Sequence, residues 1–231
     1  MIRVITFDLD DTLWDVRPAL VKAEAAQNQW LSTNYPETLA LQQSGELARL
    51  RQQVFAEQPE LAHNISGFRR AVLQLLLTEC GIAVDQAREA AGQAFAAFIA
   101  RRNEVELFPQ AVPVLTELSG QYRLGSLTNG NADVAKTPLG RFFDFALKAE
   151  DVGAAKPEPA LFQHAMRESG VTAGEMVHVG DSHDHDVTGA HRAGVRSIWL
   201  SAPGQESPLA DGIINCLSEL PDALRRLNAG H

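Results

Sequence analysis

Apolar positions recur along the chain with changing periods, and the changes divide it. Residues 2–8 form an almost unbroken apolar run that ends in an aspartate, the pattern of a short strand buried on both faces. From Pro18, which a first helical turn tolerates, to about residue 106 the spacing is helical and no strand is evident. Leu20, Ala23, Trp30 and Leu31 fit one stripe, and Leu39, Leu47, Leu50, Val54 and Phe55 fit a second helix after Pro36. A third, capped by Ser66 and stopped at Gly81, carries Phe68, Val72, Leu73, Leu76 and Leu77. Asp85 opens a fourth with Ala87, Ala91, Ala94, Phe95, Phe98 and Ile99.

The texture changes at Phe108-Pro109. Helices expected over 111–118, 159–169, 187–193 and 218–227 alternate with strands expected over 122–127, 145–148, 176–179, 197–200 and 212–215. Such alternation means parallel strands with helical crossovers, an α/β sheet covered on both faces. The expected organisation is a core of 1–15 and 108–231, interrupted by a helical domain over 16–107.

Composition narrows the function classes. With 45% apolar and 21% charged residues, the 231-residue chain is an ordinary globular one. A net charge of −9 argues against nucleic-acid or anionic-membrane binding, yet leaves room for a locally positive pocket and an anionic small substrate. No apolar run approaches membrane-spanning length and no signal pattern opens the chain. Cys80 and Cys216 are too few for a disulfide framework and read as small core residues. A cytoplasmic protein, monomeric or weakly dimeric, is expected.

Candidate chemistry gathers where strands end. Asp8, Asp10, Asp11 and Thr12 follow the first strand, Thr128-Asn129-Gly130 the second, Lys156 comes after the 145–148 strand, and Asp181 to Asp186 follow the 176–179 strand. Carboxyl ends of parallel strands are where open α/β sheets bind ligands, so all four groups converge on one edge. The helical insert leaves from that edge and is placed to cover it. Each cluster alone has a plain reading: a turn, a solvated loop lysine, caps at a helix start. Together they supply oxygen ligands suited to Mg2+, with no Cys or His spacing that favours zinc. They also supply a carboxylate nucleophile, a second carboxylate for proton transfer, and a lysine to neutralise charge. His183 and His185 read as ordinary surface histidines.

Asp8-Leu9-Asp10-Asp11-Thr12 resembles the DxDxT signature of the haloacid dehalogenase-like phosphohydrolases. Thr128, Lys156 in AKPEPALF, and Gly180-Asp181-Ser182 with Asp186 resemble the second, third and fourth motifs of that family, in order, over essentially the whole chain. The resemblance implies a Rossmann-like core with an inserted α-helical cap. It also implies Asp8 as nucleophile and metal ligand, and Asp10 as general acid/base with its carbonyl on the metal. Asp181 would be the further ligand, Thr128 and the amide of Asn129 would hold phosphoryl oxygens, and Lys156 would hold the charge of Asp8 and the phosphate together. Asp186 would stand behind these, orienting Lys156 or a metal-bound water, while Asp11 faces away in the turn.

The family contains phosphatases and dehalogenases. A dehalogenase has no leaving alcohol to protonate, so Asp10 favours phosphate-ester hydrolysis. The dehalogenase, a receiver-like module and a non-catalytic binder of phosphorylated ligands remain the alternatives. The segments FDLDDTLWDVRPAL, PELAHNISGF and LTNGNAD further resemble a subgroup acting on flavin mononucleotide and 5-amino-6-(5-phospho-D-ribitylamino)uracil. A flat heteroaromatic substrate wants aromatic or guanidinium surfaces, for which Trp14, His63, Phe68 and Arg69 are candidates.

Overall fold

A computed structural model describes residues 1–229. The strands are β1 (Val4–Phe7), β2 (Trp14–Asp15), β3 (Glu106–Leu107), β4 (Arg123–Thr128), β5 (Phe145–Lys148), β6 (Met176–Gly180), β7 (Arg196–Leu200) and β8 (Gly212–Ile214). Six form one sheet in the order β5-β4-β1-β6-β7-β8, every neighbouring pair parallel. β1 and β6 are buried along their whole length, as expected of a sheet covered on both faces. Their side chains alternate between two apolar clusters. Ile5, Phe7, Val177 and Val179 belong to one, while Val4 and Met176 join Leu127, Leu161 and Phe162 in the other. From β1 the chain builds outward through β4 and β5, then returns to β6 on the opposite side. That reversal opens a crevice beyond the carboxyl end of β1.

The chain divides into two units, Met1–Val16 with the chain from Val105 onward, and Arg17–Glu104. Residues 105–107, expected in the insert, belong with the sheet unit because β3 pairs antiparallel with β2. Two-residue strands carry no periodic signal, so neither was legible in the sequence.

The helices of the insert are α1 (Val16–Asn34), α2 (Thr38–Gln43), α3 (Glu46–Glu57), α4 (Ile65–Glu79) and α5 (Val84–Arg102). The single helix expected after Pro36 is two, broken at Gly45, whose φ of +83° is open to glycine at little cost. Leu39 and Phe55, read into its stripe, are exposed. The cap of α4 is Asn64 rather than Ser66: Asn64 Oδ1 accepts the Gly67 N–H at 2.7 Å, and Ser66 sits buried in the first turn. Leu73, Leu76 and Leu77 of α4 share an apolar cluster with Ala87, Ala91 and Ala94 of α5, whose small side chains permit close helix packing.

In the sheet unit the helices are α6 (Ala111–Ser119), α7 (Ala149–Val152), α8 (Ala160–Ser169), α9 (Thr188–Arg192) and α10 (Leu220–Ala229). One π-helical turn, His183–Val187, precedes α9 where a plain helix start was expected. Cys80 and Cys216, expected in the core, are free and only partly buried. Among the described residues no helix is long and apolar enough to cross a membrane.

Candidate active site

Asp8 is the last residue of β1's ladder: its N–H still donates to Val179 O at 2.8 Å. The chain then turns sharply. Leu9 and Leu13, both fully buried, anchor the turn, and the Leu13 N–H reaches Leu9 O at 2.9 Å. Asp11 takes the left-handed conformation at its tip, φ +60°, which short polar residues tolerate best. Its exposed carboxylate accepts the Val16 N–H at 3.0 Å. Asp8 and Asp10 line a cavity of about 210 Å3 together with Thr128, Asn129, Lys156 and Asp181. Gly130, Ser182, His185 and Asp186 complete its wall.

Lys156 is the electrostatic centre. Its fully buried ammonium donates to Asp8 Oδ1 at 2.7 Å, Asp186 Oδ1 at 2.7 Å and Leu127 O at 2.6 Å. Those are all the donors an ammonium has. A contact from Lys156 to a phosphoryl oxygen, expected from the sequence, therefore requires one of these bonds to be given up. The side chain of Asn129 fixes the lysine's backbone, accepting the Lys156 N–H and donating to Lys156 O, each at 2.8 Å. Asp186 is held at both oxygens: Oδ1 takes Lys156 and His178, and Oδ2 takes the Ser182 N–H at 2.9 Å. Gly180 makes room for it, since a Cβ there would lie 2.2 Å from Asp186 Cγ.

The charges are unevenly settled. Burial would raise the pKa of Asp186, but Lys156 and the bond from His178 hold its carboxyl well below the usual range. Burial likewise works against Lys156, and Asp186 and Asp8 overcome it and raise its pKa. Asp8 goes the other way: burial, with Asp186 and Asp10 nearby, raises it well above an ordinary aspartate despite Lys156. Asp181 is raised by burial and by Asp186. The cluster is short of positive charge at Asp8 and Asp181. These two, with Asp186, can each bring a carboxylate oxygen within 4.8 Å of the others. Asp186 already has both oxygens engaged, so Asp8 and Asp181 are the better-disposed ligands. An all-oxygen set fits a hard divalent cation such as Mg2+.

Two residues outside the expected set hold this arrangement. Thr12, fully buried, clasps Asp181: its hydroxyl donates to Asp181 Oδ1 and accepts the Asp181 N–H, each at 3.1 Å. His178, fully buried on β6, bonds Asp186 and Thr6. Thr12 stood in view as the last letter of DxDxT. The signal for His178 was a single ring with polar nitrogens inside the apolar run MVHVG.

Trp14 requires a correction. It was expected to offer a stacking face to a substrate, but it is 0% exposed. Its indole N–H donates instead to Asp10 Oδ1 at 2.8 Å. Of the insert residues, Arg69 stacks on Phe98 with its guanidinium 3.9 Å from the ring centroid, and Glu24 lies 3.4 Å away. Burial lowers its pKa against the pull of Glu24. Arg69 and Phe68 line a cavity of about 310 Å3 inside the helical unit, and His63 ends a short helical turn at Pro59–His63. His183 lies edge-on to Trp199 and shares a hydrogen with Ser207 Oγ at 2.8 Å.

Known proteins resemble this chain over most of its length. A family model described as haloacid dehalogenase-like hydrolase matches residues 2–194. The 5-amino-6-(5-phospho-D-ribitylamino)uracil phosphatase YigB of Escherichia coli K12 is 33% identical over 86% of this chain and 83% of its own. The glyceraldehyde 3-phosphate phosphatase of Methanopyrus kandleri is 27% identical over 98% and 99%. A crystal structure named as 2-haloacid dehalogenase from Pseudomonas syringae pv. Tomato DC3000 is 42% identical with a TM-score of 0.92, covering 98% of this chain and 99% of that one.

Proposed function

Because the chain belongs to the haloacid dehalogenase-like hydrolases, we propose that it is a Mg2+-dependent phosphatase working through an aspartyl-phosphate. The observation that carries the reading is Asp10, a second carboxylate on the turn after Asp8, held by the Trp14 indole. Asp8 attacks phosphorus and the P–O bond to the alcohol breaks, with Asp10 giving its proton to the leaving oxygen. Asp10, now a carboxylate, takes a proton from water as that water attacks the phosphorylated Asp8. Phosphate leaves and Asp8 is restored. Lys156 offsets the charge of Asp8, and Thr128 with the Asn129 N–H orients the phosphoryl oxygens. Asp8, Asp181 and the Asp10 carbonyl would hold the cation, which supplies charge neutralisation at the phosphoryl group.

The substrate we propose is a small phosphorylated metabolite of the riboflavin pathway, 5-amino-6-(5-phospho-D-ribitylamino)uracil or flavin mononucleotide. Its support is the likeness to the Escherichia coli enzyme over most of both chains. Within the helical cap, Arg69, His63 and Phe68 are the residues we assign to the substrate's leaving group.

A dehalogenase is the second reading, favoured by the 42% identity to the Pseudomonas syringae structure. Halide departs without a proton, so that chemistry gives Asp10 nothing to do. The test is direct. Sustained, Mg2+-dependent release of phosphate from p-nitrophenyl phosphate, abolished in Asp8→Asn, supports the phosphatase. Chloride release from 2-chloropropionate without added metal supports the dehalogenase, and binding of phosphate esters without turnover supports a ligand-binding module. A panel of phosphorylated metabolites ranked by kcat/KM then decides the substrate.

A further inference from the structure

Position 178 is a place where the fold asks for an apolar residue. β6 is central in the sheet, its residues Met176, Val177 and Val179 all pack into apolar clusters on one face or the other, and His178 is 0% exposed on the face that carries Met176 and Phe162. A polar ring buried this way costs stability unless both nitrogens are bonded. They are. Nε2 lies 3.0 Å from Asp186 Oδ1 and Nδ1 lies 2.9 Å from Thr6 Oγ1, while Phe162 meets the ring edge-on at 5.0 Å. The directions follow from the partners. An ionised carboxylate only accepts, so Nε2 carries the hydrogen, and Nδ1 accepts from the Thr6 hydroxyl. Burial first, then the Lys156 charge, oppose a second proton on the ring against the pull of Asp186.

From this geometry we infer that His178 is a positioning residue: it governs how Asp186 shares Lys156 with Asp8. The inference rests on the proposed phosphatase reading. The lysine stands at 2.7 Å from each carboxylate, so neither wins by distance. The Asp186 oxygen facing Lys156 is also the oxygen that accepts from His178. A hydrogen bond donated to that oxygen disperses its charge and weakens its hold on the ammonium. Remove the donor and Asp186 draws Lys156 toward itself, leaving Asp8 less neutralised as the anionic phosphoryl group approaches. The cost falls on the attack step rather than on substrate binding.

The test compares His178→Leu, His178→Asn and His178→Gln in the full chain, with p-nitrophenyl phosphate and Mg2+ as probe and thermal melting as a check on folding. The Gln amide reaches the Nε2 position and can donate to Asp186, the Asn amide reaches only the Nδ1 position, and Leu has neither. Leu and Asn are expected to lower kcat by about tenfold or more at nearly unchanged KM, with Gln recovering most of it. Nitrogen NMR of the wild-type ring at neutral pH should show the hydrogen on Nε2 alone. A folded His178→Leu with wild-type kcat, Gln as impaired as Leu, or a hydrogen on Nδ1 in an active enzyme overturns the inference. A wild-type chain that turns over no phosphate ester overturns the underlying reading instead.

Discussion

The indole nitrogen of Trp14 donates to Oδ1 of Asp10 across 2.8 Å, from a ring wholly out of solvent. The ring therefore acts on the acid, not on a substrate face. Trp14→Phe keeps the apolar bulk and removes the donor. A carboxyl that must give a proton and then take one depends on its orientation, so losing the bond from the indole should lower kcat by about tenfold or more. The fall should be the same for p-nitrophenyl phosphate and flavin mononucleotide, with KM for both nearly unchanged. A rise in KM confined to the flavin would restore the stacking role.

Thr12 has its hydroxyl committed twice to Asp181. Thr12→Val removes both contacts at almost constant volume. Since groups that orient a ligand set its affinity, Mg2+ binding followed by calorimetry should weaken by about tenfold to a hundredfold. Saturating Mg2+ should return most of the activity, which a role for Thr12 in the chemical step itself does not allow.

Lys156 is the cation shared by Asp8 and Asp186 in the buried cluster. Lys156→Met leaves two buried carboxylates facing each other and should cost about 3–5 kcal/mol of stability by denaturant titration. Adding Asp186→Asn should recover part of that loss, because it removes one of the stranded charges. Equal or lower stability in the double variant would mean that the carboxylates do not couple through the lysine.

The raised pKa of Asp8 and the lowered one of Asp186 predict opposite pH behaviour. Asp186 contributes stability that is present above its unfolded value, about pH 4, and is lost as pH falls toward its lower folded value. Asp8 bears a penalty that is present above its raised folded value and vanishes below its unfolded one. Metal-free Asp8→Asn should therefore be more stable than wild type at pH 7, by about 1 kcal/mol or a Tm gain of about 3 °C. The gain should close near pH 4 and below. Added Mg2+ should close it at pH 7 too, by binding and stabilising the wild type more than the variant.

How much was legible in advance depended on the kind of signal. The parallel sheet could be read from apolar runs such as VITF and MVHVG, and the residues around the cavity from the acids, hydroxyl and lysine at strand ends. What failed was local. Gly45 breaks a continuous apolar stripe, and Asn64 caps α4 where Ser66 was the equally good candidate two residues on. At Trp14 composition says what an indole can do, and only burial says which way it faces. The role of Thr12 depends on Asp181, 169 residues away and brought close by the pairing of β1 with β6, which also sets Thr6 beside His178; Asp186 is only eight residues from His178, but it meets the ring through the π-helical turn after β6, which has no simple sequence signal.

The ribbon of β2 and β3 has a further meaning for how this chain can be taken apart. Its two strands are the last ordered backbone before the insert departs at Arg17 and the first after it returns past Glu104. Departure and return are thus fastened side by side within the sheet unit, so the insert is attached like a module on a single socket. Grafting a different helical module between Val16 and Val105 should leave every strand register of the sheet as it was, because none of the six strands lies in the replaced stretch. The same socket contains Trp14, so a cut made three residues earlier would carry off the donor that holds Asp10.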